Sequence, residues 1–311
     1  MPVFNTVIVC LFLLIISFFL PCTALANYHY CPIHCQAEDT LSLQQPYLTG
    51  IDISILQLEL MQLGYYDGKL DGVYGPKTAA AVANFQEDEK LVVTGAVKAE
   101  TWDKLATYLE KPVVNELPPP PSGDIALVVD TVNRTLTVFS DNEPYHTFHV
   151  AVGKPETPSP IGTWKVTRKA MNWGTGFGTR WIGLNVRWGI YGVHGTNKPG
   201  SIGSYASHGC IRMHNSKVEQ LYPWVPVNAP VYIVGNPFGV PGHTHRTICK
   251  GEKGPDVAMV QAYLKRKGYY DQEVDGIFGP GMEQAIFNFR ADHNLVRDNR
   301  VDREMYEVMK L

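Results

Sequence analysis

The chain has 311 residues, of which 45% are hydrophobic and 18% charged, and its formal net charge is −3. This slight acidic balance excludes the strongly basic surface of a nucleic-acid-binding protein, so we expect no nucleic acid partner. The length is enough for two or three small domains after an N-terminal targeting segment.

An apolar targeting segment opens the chain. Val7 to Leu20 is an almost unbroken apolar run, and small residues at Ala24 and Ala26 fit a signal-peptidase site. The run is shorter than the roughly 20 residues of a transmembrane helix. We therefore predict a signal peptide over residues 1–26, secretion, and only transient contact with the membrane. No Lys or Arg precedes the run, so an uncleaved anchor is one alternative. A lipoprotein site at Cys22 is the other, although Pro21 just before it fits poorly.

Cysteine usage agrees with a secreted protein. Two of the six cysteines lie in the targeting segment. Outside the cytosol, Cys31 and Cys35 can pair with each other, or one of them can pair with Cys249, and the sequence leaves this connectivity open. Two neighbouring histidines add metal-ligand chemistry, but the spacing fits no zinc pattern, so we predict a disulfide and no metal. Cys210 then remains as a thiol.

One segment occurs twice. Residues 63–76 read LGYYDGKLDGVYGP, and residues 267–280 read KGYYDQEVDGIFGP. In each copy apolar residues at helical spacing precede a glycine, Gly64 or Gly268, that suits a left-handed helix end. Asp-Gly and Gly-Pro pairs then mark turns before a second helix. Two copies are too few for a solenoid, so we predict two separate α-helical bundles.

Between the two copies the composition changes to that of strands. Residues 116–123 contain four consecutive prolines, a stiff spacer that we expect to hold the first module apart. Alternating or β-branched runs such as Ile125–Val129 and Tyr145–Val152 follow and predict a mainly-β domain. A second Pro/Gly-rich connector begins at Asn236.

The most specific chemical pattern lies in this β region. Residues 207–212 read SHGCIR, and a second histidine stands upstream at His194. A thiol becomes a useful nucleophile when an imidazole or backbone dipoles stabilise its thiolate. A buried structural cysteine gains nothing from flanking histidine, glycine and arginine. We therefore predict that Cys210 is catalytic.

This motif, together with TPSPIGTW at residues 157–164, resembles the signature of the L,D-transpeptidase catalytic domain, also called the YkuD domain. The two repeat copies resemble the small peptidoglycan-binding domain of bacterial wall enzymes. The first copy fits better, since the second has Arg290 in place of Gln86. The resemblance implies a multidomain protein in which a β-sandwich-like catalytic domain lies between two small helical bundles.

These observations predict six successive segments. They are a signal peptide (1–26), a peptidoglycan-binding-like module (27–115), a Pro-rich linker (116–123), the catalytic domain (124–235), a linker (236–248) and a second peptidoglycan-binding-like module (249–311). In the modules we expect the aspartates of the Asp-Gly pairs to shape turns and Tyr65, Tyr66, Tyr269 and Tyr270 to stack on sugars.

Two histidines compete for the role of base. From the residues alone, either His208 or His194 could ionise Cys210. The resemblance implies that His194 is the base, that the carbonyl of Gly195 orients its ring, and that His208 is structural or on the oxyanion side. Backbone N–H groups at Gly209 and Cys210 are the predicted oxyanion donors, because glycine lets the chain approach closely.

Four further residues are candidates for substrate binding. Arg212 could bind a substrate carboxylate in bidentate fashion or form a structural ion pair. Asn215 could contact substrate or tie the loop down. Ser207 and Tyr191 complete the set, and the remaining aromatic candidates for the cleft wall are Trp173, Trp181 and Trp188.

The substrate is implied by the resemblance alone. Cys210 would attack the third residue of a peptidoglycan tetrapeptide stem and expel the terminal D-alanine. An amine on a neighbouring stem would then take the acyl group and form a 3→3 cross-link, with no cofactor. Peptidoglycan is thus the implied partner, and the cell wall the implied place of action.

Four alternatives remain. An L,D-carboxypeptidase or amidase would pass the same acyl group from Cys210 to water. A papain-like wall peptidase needs a histidine well after its cysteine, and His243 and His245 lie in a connector. A zinc hydrolase would lack an acidic general base. A non-catalytic wall-binding protein would need only the two modules.

Overall fold

The structure is a computed structural model that describes residues 40–109, 118–174, 176–239 and 244–311. The predicted signal peptide and the cysteines Cys31 and Cys35 lie outside these residues. Cys249 is disulfide-bonded, and Cys210 is a buried thiol. Among the described helices, none combines the length and apolar character that a bilayer crossing requires.

The first module is a bundle of three helices, α1 (Ile51–Gln62), α2 (Pro76–Asp88) and α3 (Ala99–Leu109). Leu56, Phe85 and Trp102 lie fully buried at its centre. Gly64 follows α1 with a φ of +86°, the left-handed conformation that was predicted for this helix end.

A buried glutamine that was not singled out from the sequence fixes the turn after α1. Gln57 Nε2 donates to Asp71 Oδ1 at 2.9 Å, and Gln57 Oε1 accepts from Gly72 N at 3.0 Å. Asp71 Oδ1 also accepts from Val73 N. Asp71 therefore shapes the turn, as expected.

The central domain is built on one curled eight-stranded sheet, and the predicted mainly-β class is confirmed. Its strand order is β3-β2-β1-β10-β5-β6-β7-β9, and β4 pairs with β8 in a separate two-stranded sheet. The elements are β1 (Ile125–Asp130), β2 (Thr135–Ser140), β3 (Glu143–His149), β4 (Val152–Gly153), β5 (Gly162–Met171), β6 (Arg180–Leu184), β7 (Tyr191–His194), β8 (Tyr205–Ser207), β9 (Ile211–Arg212), α4 (Asn215–Trp224) and β10 (Pro230–Val234).

Strand β5 connects the two halves of this sheet. Its first residues pair with β10, whereas its later residues pair with β6, with a register shift between Val166 and Arg168. The register shift marks a local irregularity of the kind that bends strands. The strands and α4 enclose one apolar core that includes Leu127, Val193 and Leu221.

The second module repeats the first with α5 (Pro255–Arg266), α6 (Pro280–Asp292) and α7 (Arg303–Met309). Gln261 occupies the position of Gln57 and makes the same bonds to Asp275 Oδ1 and Gly276 N. Arg290 occupies the position of Gln86, and it also finds polar partners inside the bundle. It is buried, donates to the Val296 carbonyl at 3.0 Å and pairs with Asp302 at 2.6 Å.

The prediction that all four module tyrosines stack on sugars is wrong for two of them. Tyr66 and Tyr270 are each only 6% exposed and donate to the backbone carbonyls of Lys69 and Glu273. Their rings pack inside the bundle cores, so they do not present a face on which a sugar could stack.

The proline spacer does not hold the first module away from the catalytic domain. Asn197 Nδ2 donates to Asp103 Oδ1 at 2.9 Å, and Gly200 N donates to Glu59 Oε1 at 2.8 Å. The expectation of separation was wrong because a spacer sets only the reach of a module, whereas polar groups on α1 and α3 decide where it docks. The second module contacts the connection between β6 and β7, where Arg187 pairs with Glu273 at 2.5 Å.

Candidate active site

Strand pairing brings the two central residues of the motif together. Strands β7 and β9 are parallel neighbours, with Val193 opposite Ile211 and His194 opposite Arg212. Paired residues of neighbouring strands point to the same face, so Arg212 lies beside His194. Cys210 lies in the bend immediately before β9, next to Ile211, which is opposite Val193. Cys210 and His194 are each 2% exposed. The strand pairing therefore brings the backbone at the cysteine close to that at the histidine, and both side chains are buried.

His194 has a fixed ring orientation. Its Nδ1 lies 2.5 Å from the Gly195 carbonyl oxygen. A carbonyl only accepts, so Nδ1 carries the ring proton and Nε2 presents a lone pair. Trp181 stacks on the ring at 5.6 Å, and Phe177 packs edge-on at 5.0 Å. This is the geometry that the orienting role predicted for Gly195 requires.

The electrostatics keep His194 neutral. Burial lowers its pKa to about 3, helped by the nearby Arg212 cation and opposed by the backbone of Gly195 and Phe177. A neutral imidazole at neutral pH is the form that can accept a proton. His208 is half-buried, and burial together with Lys154 and Arg212 lowers its pKa to about 4. Protonation state alone therefore does not separate the two histidines, but the bond to Gly195 does.

A tight turn presents Cys210. Gly209 has a φ of +107°, and a side chain there would meet the Tyr191 ring at 2.7 Å. Ser207 Oγ accepts from Gly209 N at 3.0 Å and donates to the Cys210 carbonyl at 2.6 Å. The turn therefore requires glycine and is locked by one serine hydroxyl.

This geometry corrects one predicted role. The Gly209 N–H donates to Ser207 Oγ inside the turn, so it does not point at a substrate oxyanion. Ser207 and Tyr191 are buried beside the turn, as Cys210 is, and their contact with substrate stays a prediction. Sequence could not distinguish these roles, because residues under a catalytic turn and residues facing the substrate have the same spacing in the chain.

Asn215 also acts as a support. Its Oδ1 accepts from Thr179 N at 3.0 Å, and its Nδ2 donates to the Thr196 carbonyl at 2.9 Å. The side chain thus ties the start of α4 to the segment after His194. The sequence left two roles open for Asn215, and these bonds favour the one in which its side chain ties the loop down.

Arg212 is placed to receive an anion. It is only partly exposed and lies on the same face as His194, its partner in the β7–β9 pairing. Its Nη1 is buried and finds no hydrogen-bond acceptor among the described residues. An unpaired buried guanidinium nitrogen is costly unless a ligand satisfies it, and a carboxylate fits best.

The predicted cleft aromatics lie mostly in the core. Trp181 is 1% exposed and supports His194, while Trp173 stacks on Trp181 at 5.8 Å. Trp188 packs against Trp164 and lies beside Gly276 of the second module. Over the described ranges, no group of three or more His, Cys, Asp or Glu residues is arranged to hold a metal ion.

Three acidic residues near the site were missed by sequence reasoning. Asp52, Glu59 and Asp103 all belong to the first module, yet they contact the loop that follows His194. A signal was present, because Ile55 lies on the same side of α1 as Asp52 and Glu59, away from the bundle-facing residues. An apolar and acidic second face on a bundle helix indicates a second packing partner.

Comparison with known proteins agrees with this organisation. The L,D-transpeptidase catalytic domain family matches residues 124–233, and the family described as "Putative peptidoglycan binding domain" matches residues 49–105 and 253–309. The chain is 39% identical over 121 residues to "Putative L,D-transpeptidase YkuD" of Bacillus subtilis, covering 39% of this chain and 73% of that protein. It is 36% identical over 129 residues to "Putative L,D-transpeptidase YqjB" of the same organism, covering 37% and 73%.

Other relatives share one part of the chain only. The spore cortex-lytic enzyme of Bacillus subtilis is 44% identical over 73 residues, which cover 22% of this chain and 24% of that enzyme. Among solved structures, an L,D-transpeptidase from Xylanimonas cellulosilytica is 26% identical and covers 60% of this chain and 94% of its own, with a TM-score of 0.31. A TM-score this low carries no weight, so the assignment rests on the family matches and sequence relatives.

Proposed function

The chain belongs to the L,D-transpeptidase family, and from this membership we propose that it forms 3→3 cross-links between peptidoglycan tetrapeptide stems through an acyl-enzyme on Cys210. An enzyme of transpeptidase type that acts on peptidoglycan is what the family itself establishes. The observation that best supports the finer proposal is the pairing of β7 with β9, which sets Cys210 beside the oriented ring of His194.

In the first half-reaction, His194 Nε2 accepts the Cys210 thiol proton. The sulfur then attacks the carbonyl carbon of the third stem residue, and a C–S bond forms as the carbonyl electrons move to oxygen. Collapse of this intermediate breaks the C–N bond to the terminal D-alanine. The imidazolium returns its proton to the departing amine, so D-alanine leaves neutral at nitrogen and the acyl group stays on Cys210.

In the second half-reaction, an amine on a neighbouring stem attacks the thioester. His194 accepts a proton from that amine, the C–S bond breaks, and the new amide is the cross-link. The proton then returns to the Cys210 sulfur. If water attacks in place of the amine, the same chemistry gives a carboxypeptidase, and no residue described here favours water.

Arg212 is the proposed anchor for a substrate carboxylate. Stem peptides carry carboxylates near the reacting bond, including that of the terminal D-alanine. The buried Nη1 of Arg212 offers a donor two residues along the chain from Cys210 and on the same face as His194. Binding that carboxylate would satisfy the guanidinium and hold the third-residue carbonyl over the thiol.

The modules imply where this chemistry takes place. Domains of peptidoglycan-binding type on both sides of the catalytic domain indicate an extracytoplasmic role. We propose that the protein is secreted to the wall by the segment at residues 1–26, with the domain boundaries given above. Wall binding by either module is part of this proposal.

Mass spectrometry of soluble muropeptides incubated with the mature protein tests the proposal. Cross-linked dimers that lack one D-alanine are expected from the wild type, and none from Cys210→Ala. Tripeptide stems without dimers would establish the carboxypeptidase instead. Unchanged muropeptides, with a correctly folded protein, would contradict both forms of the proposal.

A further inference from the structure

The loop formed by residues 195–204, which connects His194 to the strand before Cys210, is gripped by the first module. Glu59 Oε1 accepts from Gly200 N at 2.8 Å, and Asp103 Oδ1 accepts from Asn197 Nδ2 at 2.9 Å. Lys198 Nζ lies 3.6 Å from Asp52 Oδ1 and 4.6 Å from the centre of the Trp102 ring. Three positions of the 195–204 loop, Asn197, Lys198 and Gly200, are therefore held by residues of α1 and α3.

The contact between the 195–204 loop and the first module is largely buried. Glu59 is fully buried, and a side chain at Gly200 would meet Glu59 Oε1 at 2.7 Å, so the glutamate would have to move to accommodate it. Lys198 and Asn197 are only 9% and 5% exposed. A surface loop that carries this many buried polar groups is stable only when a partner satisfies them. The first module is that partner.

The second module makes a comparable contact, which indicates the kind of residue that this surface of the module binds. Its Asp256 and Tyr306 stand at the repeat positions of Asp52 and Trp102. Arg246, from the connector, donates through Nε to Asp256 Oδ2 at 2.6 Å, and Tyr306 donates to the Arg246 carbonyl at 3.1 Å. Both modules therefore hold a basic residue from outside the bundle between an aspartate of the first helix and an aromatic ring of the third.

Two contacts are particular to the first module. The repeat position of Glu59 is Tyr263, and that of Asp103 is Glu307, whose carboxylate pairs with exposed Arg303 instead. The aspartate and the aromatic ring that the two modules share thus explain how each module binds a basic residue. Glu59 and Asp103 are additions that bind the backbone and side chain of the 195–204 loop alone.

We propose that the first module is a positioning element of the active site, with Glu59 and Asp103 as positioning residues that hold the 195–204 loop and thereby set His194 against Cys210. The inference rests on the proposed function, in which Cys210 is the nucleophile and His194 its base. The loop lies between the two proposed catalytic residues: His194 immediately precedes it, and the turn that carries Cys210 follows it after β8. Release of its middle lets both ends relax, and a misplacement of about 1 Å can cost on the order of 10²-fold in rate.

The test uses the mature protein and a small soluble tetrapeptide stem without glycan, so that wall anchoring plays no part. Glu59→Ala combined with Asp103→Ala should lower kcat about tenfold or more, with KM changed less than about threefold. Glu59→Gln, made in place of Glu59→Ala, should restore most of the lost kcat, since its amide oxygen still accepts from Gly200 N. The matched control is Glu307→Ala in the second module, which should keep wild-type kcat.

A second readout does not depend on the substrate. The rate at which iodoacetamide alkylates Cys210 at neutral pH reports how well His194 ionises the thiol. It should fall in the double variant and recover with Glu59→Gln. Asp103 is exposed, so Asp103→Ala alone keeps the bundle intact and should show a smaller fall of the same kind.

The outcomes separate the two hypotheses. Wild-type kcat and alkylation rate in the double variant would overturn the positioning role, even if binding to sacculi is weakened. A wild-type protein that leaves the stem unchanged would contradict the proposed function. The alkylation comparison would then still decide whether the first module positions the Cys210–His194 pair.

Discussion

At the scale of single residues, environment assigns roles that residue type cannot. His194 and His208 are both buried enough to be neutral at pH 7, and both flank the same cysteine. Only His194 has its Nδ1 fixed on a neighbouring carbonyl, which leaves Nε2 as the proton acceptor. The motif predicted which residues matter, and the hydrogen bonds distinguish the proposed base from its neighbour.

The first prediction separates the two histidines. His194→Ala should lower turnover by about 10²- to 10⁴-fold, the usual contribution of a general base. The alkylation rate of Cys210 should fall in parallel, because the thiol loses its proton acceptor. His208→Ala should have the smaller effect in both assays. The opposite ranking in the alkylation assay would transfer the role of base to His208.

The second prediction concerns pH. Burial and Arg212 lower the pKa of His194 to about 3, so protonation of this base does not begin near the ordinary histidine value of 6.5. The acid limb of kcat/KM for a soluble stem should therefore fall below pH 5, where His208 with a pKa of about 4 also titrates. A half-maximal point near pH 6.5 would show that the base is solvated, contrary to this structure.

At the scale of elements, the repeat was predictable and the docking was not. Glycine, Asp-Gly and Gly-Pro positions carry the helix and turn signals in both copies, and the structure places them as predicted. The contacts between the first module and the catalytic domain join residues far apart in the chain, such as Asp103 and Asn197. Local patterns carry no information on such pairs, apart from the acidic and apolar residues on the side of α1 that faces away from the bundle.

Glu59 gives an element-level prediction on stability. Burial raises its pKa to about 7, against a backbone bond from Gly200 and the charge of Lys198 that lower it. The folded state therefore holds this proton more tightly than the unfolded chain. The contribution of Glu59 to stability is complete below about pH 4.5 and is lost as pH rises through 7.

Glu59→Gln removes this titration and keeps a hydrogen-bond acceptor. Relative to wild type, the variant should gain stability between pH 5 and pH 8, measured by thermal unfolding at both values. Glu87→Gln, an exposed change on α2 of the same module, is the control and should show no such gain. Equal shifts for both variants would mean that Glu59 ionises freely in the folded protein.

The two buried glutamines give a paired prediction. Gln57→Ala and Gln261→Ala each remove the bonds that close an Asp-Gly turn and leave buried backbone groups unpaired. Each should cost about 1–3 kcal/mol in the free energy of unfolding of its module. Gln62→Ala, at an exposed site on α1, is the matched control for denaturant unfolding. A negligible cost in either module would show that the turn is set by Asp71 or Asp275 alone.

At the scale of the whole molecule, the order of domains was predictable from composition and the repeat, whereas their arrangement was not. The tetraproline spacer suggested independent parts, but both modules contact the central domain, through Asp103 and Glu273 among others. A spacer limits distance and leaves orientation to surface chemistry. One module therefore contacts the loop that follows His194, and the other contacts Arg187, in the segment before β7.

The most direct measurement is the intact mass of the mature protein quenched in acid during turnover of a soluble tetrapeptide stem. We expect a mass increase equal to the stem minus its D-alanine, located on the peptide that contains Cys210, and no increase for Cys210→Ala. D-alanine released by Cys210→Ala at the wild-type rate, or an acyl group located on any other residue, would contradict the acyl-enzyme on Cys210.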